Sequence, residues 1–218
     1  MKTFPHLTKI LLSFSAMVAG GAFAFAVVLT FVVSFFRDVE ISAWNVVASH
    51  VAPWFLLFVG VYAIHNVLPI AVAHGRTRRE FLVAASGLSV ALTVVATVLA
   101  WLGFLAEGAI YPLMDWNADD RGMLFAHPLM FLVWFVTGMF CAAAFARFGA
   151  GGAFALPVAF ALMTVTRAQI PGTGTLPFVA NVPDLLGPGW HAVSGAAFVV
   201  ALAGTWAIAR DMPIRIKT

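Results

Sequence analysis

The chain has 218 residues, 62% of them hydrophobic and only 10% charged, with a mean hydropathy of +0.99. Soluble domains carry about 25% charged residues, so this composition excludes a water-soluble enzyme and predicts an all-α, polytopic membrane protein. The single cysteine, Cys141, excludes an internal disulfide and a two-cysteine metal site, and it reads as a small packing residue.

Six apolar segments are expected to cross the bilayer, over residues 10–36, 51–73, 81–105, 126–148, 153–170 and 190–209. Together they make 1–218 a single transmembrane domain. The first follows Lys2 and Lys9 and resembles a secretory signal, but its apolar run continues to Phe36, so it reads as an uncleaved span. Ala16, Gly20 and Ala24 recur at intervals of four along it, a spacing that permits close helix contact. The second segment follows His50 and carries one deep polar pair, His65 and Asn66. Polar groups at such depth usually face a neighbouring helix or line a path.

Between the second and third segments lies His74-Gly75-Arg76-Thr77-Arg78-Arg79-Glu80-Phe81. Three arginines in hydrocarbon would cost roughly 8–10 kcal/mol, so the chain must surface here and return at once. Gly75 permits a sharp reversal, and Thr77 with Glu80 has the form of a capping box ahead of the run from Phe81. Glu107, near the far end of the third segment, is either a counter-ion or a solvated interfacial acid. The fourth segment opens at His127, and Gly149-Ala150-Gly151-Gly152 predicts a tight turn after it. Pro157 and the Arg167–Gln169 stretch interrupt the fifth segment. Residues 171–189, with four prolines, form a structured loop or dip into the outer leaflet. The sixth begins near His191 and repeats small residues at Ala197, Ala201 and Thr205, a face suited to dimerisation.

With both termini inside, nine of the twelve basic residues lie on the inner side and seven of the nine acids outside. This bias follows the positive-inside rule and explains the high pI without any nucleic-acid partner.

The pattern Gly-x-Thr-Arg-Arg-x-Phe between the second and third of six spans resembles the membrane subunits of type-2 ATP-binding-cassette exporters, particularly small actinobacterial permeases. Gly75, Thr77, Arg78, Arg79 and Phe81 carry the match, and the basic stretch from Arg210 to Arg215 also looks like that family. The resemblance implies a permease of the bacterial cytoplasmic membrane that couples to a separate ATPase through Gly75, Arg76, Thr77, Arg78, Arg79, Glu80 and Phe81. It implies two ATPase copies holding ATP and Mg, a second permease copy or paralogue, and no catalytic residue or cofactor in this chain. The chain contains no G-x-x-x-x-G-K-[ST] phosphate loop of its own. The possible substrate path is His65, Asn66 and Glu107, with the substrate (drug, peptide or lipid-like) open. Two rival readings remain: a redox protein holding haem or metal through His50, His127 and His191, and a scaffold or immunity-type protein whose basic hinge sets topology alone.

Overall fold

A computed structural model describes residues 42–114, 116, 126–167 and 189–212, together with positions 21, 28, 31 and 32. Helices α1 (Ala43–Ala73), α2 (Arg78–Ile110), α3 (Ala126–Phe148), α4 (Ala155–Arg167) and α5 (Trp190–Arg210) account for almost all of it, and no strand occurs among the described residues. Four helical stretches, Ala43–Ala73, Arg78–Met114, Ala126–Arg167 and Trp190–Arg210, are long and apolar enough to cross a membrane. Apart from positions 21, 28, 31 and 32, the first apolar segment lies outside the described residues, as do residues 171–188 and the tail beyond Met212. The fifth corresponds to α4, whose 13 residues extend about 20 Å, short of the ~30 Å hydrocarbon core.

The helices alternate in direction. A turn at His74–Thr77 joins α1 to α2, and a 3-10 segment at Gly149–Phe154 folds α4 back along α3. Gly75 and Gly149 take the left-handed conformation, with φ of 78° and 59°, which a residue bearing Cβ adopts only under strain. The predicted turns are therefore both present. They share one end of the bundle with the C-terminus of α5, which we call the turn end.

Helix α3 is the hub and packs against the other four helices. Its inward residues include Met130, Phe131, Trp134, Phe135, Val136 and Met139, all essentially inaccessible. The crossing with α1 is tight because two glycines meet there. A Cβ on Gly60 would overlap the Phe135 carbonyl oxygen, and one on Gly138 would overlap that of Leu57. Small residues perform the same service in α5, where Ala197, Ala201 and Thr205 are buried. Those three positions are used up inside the bundle, so they do not offer the dimer face that their spacing predicted.

Helix α1 widens twice into π-helical turns, at Val47–Val51 and Ala63–Val67. Each is followed by a proline, Pro53 or Pro69. A proline donates no N–H and its ring crowds the carbonyl four residues earlier, here Ser49 and His65, so the extra residue in each turn accommodates it.

Candidate functional site

The turn end concentrates the positive charge of the described residues: Arg76, Arg78, Arg79, Arg147 and Arg210, against Glu80 and Asp211. Its geometry follows from the local sequence. The Glu80 amide donates to Thr77 Oγ1 at 3.2 Å and the Thr77 amide donates to Glu80 Oε2 at 3.1 Å, which completes the capping box. The His74 ring lies 2.8 Å from the Ile70 carbonyl through Nδ1 and closes the end of α1. The turn is thus fixed on both sides by its own side chains.

The three arginines divide their labour, which composition alone does not foretell. Arg78 Nη1 donates to the Arg210 carbonyl at 2.6 Å, capping the last turn of α5. Arg147, from the end of α3, donates to the Ala207 and Ile208 carbonyls at 3.3 and 3.4 Å and pairs with Asp211 at 3.6 Å. Guanidinium groups suit this position because the terminal carbonyls of a helix lack intrahelical donors and carry partial negative charge. Arg76 and Arg79 remain exposed, while Phe81 is buried in the core. Of the seven residues assigned to coupling, Arg78 therefore also serves α5 and Phe81 anchors the turn to its own bundle.

The opposite end holds the predicted acid. Glu107 is 3% exposed and binds the start of α1: Ser42 Oγ donates to Oε2 at 2.6 Å and the Trp44 amide donates to Oε1 at 3.2 Å. Ser42 in turn accepts from the Asn45 amide at 2.9 Å, and the Ala43 amide donates to the Tyr111 hydroxyl at 3.1 Å. An acid here meets the positive end of the α1 dipole. Trp44 locks the same joint, with its indole against Gly103 and Nε1 donating to the Ala100 carbonyl at 2.7 Å. Glu107 is thus neither solvated nor near His65.

His65 and Asn66 sit elsewhere, in the second widened turn of α1, and both are exposed. His65 lines an open cleft of about 780 Å³ between α1, α3 and α4, together with Trp54, Val61, Cys141, Phe145 and Met163. Apart from His65 and the half-buried Cys141 the walls are apolar. The proposed path residues therefore separate, with His65 and Asn66 towards the turn end and Glu107 at the other.

The three interfacial histidines have separate surroundings. His50 lies 3.3 Å through Nδ1 from the Val46 carbonyl, His127 is fully buried edge-on to Phe104, and His191 is exposed edge-on to Trp190. Among the described residues, no group of three His, Cys, Asp or Glu side chains could hold a metal ion. Sequence reading missed one interaction: Arg167 stands over the Trp134 ring at 5.7 Å, and Trp134 meets Trp54 edge-on at 5.2 Å. The signal was an arginine inside an apolar run, which must find an aromatic or polar neighbour to be tolerated there.

Family models, curated proteins and solved structures give no match to this chain. The geometry must carry the functional reading.

Proposed function

We propose that this chain is the permease subunit of an exporter powered by a separate ATP-binding-cassette ATPase, a reading supported above all by the fixed basic turn at 74–81. In this reading the turn end faces the bacterial cytoplasm, in keeping with the positive-inside rule. Six apolar segments enter the cytoplasmic membrane, the fifth through the short helix α4, both termini lie inside, and two permease copies or a permease and its paralogue meet two ATPase copies holding ATP and Mg.

The turn suits docking for physical reasons. Its backbone is held by Gly75, the capping box and the His74 contact, so little ordering entropy is spent when a partner binds. Arg76 and Arg79 point planar, fully charged groups away from the bundle, where carboxylates can take forked hydrogen bonds. Force applied here passes to α1 and α2 directly and to α5 through the Arg78 bond to the Arg210 carbonyl. A movement of the ATPases would thus act on three helices at once. Substrate movement, not covalent chemistry, is the work of this chain.

The experiment is to replace Arg76 and Arg79 by lysine. Positive charge, insertion and abundance stay as in the wild type, because lysine serves topology equally well. Co-purification with the ATPase and permease-stimulated ATP hydrolysis are lost, since a charged contact broken at an interface costs about 2–5 kcal/mol. Unchanged association and hydrolysis in that variant would reduce the turn to a topology signal, the scaffold reading.

A further inference from the structure

We propose that the cleft between α1, α3 and α4 binds a single-chain amphiphile of the fatty-acid class, with its alkyl chain along the apolar walls and its carboxyl group hydrogen-bonded to His65. The volume of about 780 Å³ lies within the ~300–1,000 Å³ of small-molecule sites. The lining of the cleft includes exposed residues of α1, α3 and α4 (Trp54, His65, Phe145, Leu156 and Phe160), so a ligand dissolved in the bilayer can reach it. Its walls would suit any hydrocarbon, but His65 makes the site selective.

The imidazole lies eight residues before the end of α1, about 12 Å below the turn end, where hydrocarbon offers no hydrogen bond. It is exposed to the cleft and has no hydrogen-bond partner among the described residues. A polar group left so in an apolar medium costs free energy that a ligand with a donor and an acceptor would recover. A carboxyl group serves in either form, since the acid donates and accepts and the carboxylate accepts from the imidazole N–H, whereas a plain alkyl chain does neither. The arginines of the turn end add charge complementarity, since they draw anionic amphiphiles to the leaflet in which the cleft lies. The widened turn at Ala63–Val67 is itself a feature that recurs at functional positions in helices.

This inference deepens the exporter reading by naming a substrate class, yet binding itself needs no ATPase. The test therefore uses the purified full-length chain alone in bilayer discs, with palmitic acid carrying a mid-chain diazirine as probe. Photolabelling should saturate and map to α1 between Trp54 and His65, α3 near Cys141 and α4 near Met163. Palmitic acid should compete and hexadecane should not. His65→Leu, at an exposed position, should weaken competition about tenfold, as expected for one lost hydrogen bond. Cys141→Phe should abolish saturable labelling by filling the cleft. Labelling spread over bilayer-facing positions such as Val94 and Val199, equal competition by hexadecane, or wild-type affinity in His65→Leu would each overturn the proposal. Saturable, His65-dependent binding in the discs, combined with no ATPase co-purifying with the chain from native membranes, would support this site and sink the exporter reading.

Discussion

Removing the Glu107 carboxylate is the sharpest perturbation of the fold, because one side chain ties the end of α2 to the start of α1. Glu107→Ala removes the two bonds that the buried Ser42 hydroxyl and Trp44 amide donate to this carboxylate. Each lost bond costs about 1–3 kcal/mol in a soluble core, and interhelical bonds in membranes measure nearer 0.6–2. The pair is therefore worth roughly 2–4 kcal/mol, and the lost charge at the α1 N-terminus adds about 0.3–1. For a chain of this size each kcal/mol moves the midpoint by roughly 2–4 °C, so Glu107→Ala should lower Tm by about 5–20 °C. Glu107→Gln keeps an acceptor for the Trp44 amide and loses the charge, so it should fall about midway. Unfolding can be followed in detergent with a thiol-reactive dye on Cys141, the only thiol. A Tm for Glu107→Ala within 1 °C of wild type on the same roughly 2–4 °C scale, or a Gln variant below the Ala variant, would refute the capping role.

The tight crossing predicts that Gly138→Ala abolishes monodisperse protein in size-exclusion chromatography, since its Cβ would overlap the Leu57 carbonyl, whereas Gly87→Ala, with open space around it, should match or exceed wild-type stability by up to ~1 kcal/mol. Thr77→Ala should cost about 1 kcal/mol through the lost capping box, read as a lower Tm with topology unchanged. Arg147→Gln should fray the end of α5, with amides near Ala207–Arg210 exchanging about tenfold faster by mass spectrometry and those of α2 unaffected.

Much of the architecture was legible in the residues because hydrocarbon imposes length and polarity rules on each segment. Apolar runs marked α1 to α5, and Gly75, Gly149 and the Thr77–Glu80 pair marked the turns, since conformation there depends on single local residues. What stayed hidden depends on contacts across the bundle. Nothing in the spacing of Arg76, Arg78 and Arg79 tells which one reaches the end of α5, more than a hundred residues away in the chain. Glu107 beside an interface reads as solvated until the start of α1 is seen to fold onto it. The small residues of α5 look suited to a second copy until α3 occupies them. The two widened turns of α1 were signalled by Pro53 and Pro69, which a count of apolar residues passes over. The pairing of Gly60 with Gly138 needed the helix crossing itself.

The central claim, that the basic turn meets an ATPase, is tested most directly by contact. A benzophenone side chain placed at Arg79, with a control at Leu113, an exposed residue at the opposite end, would be photoactivated in native membranes with and without ATP. The account predicts an adduct from position 79, its yield changing with ATP, in which mass spectrometry finds a phosphate-loop ATPase, and none from position 113. No ATPase adduct from position 79, or equal adducts from both positions, would contradict it.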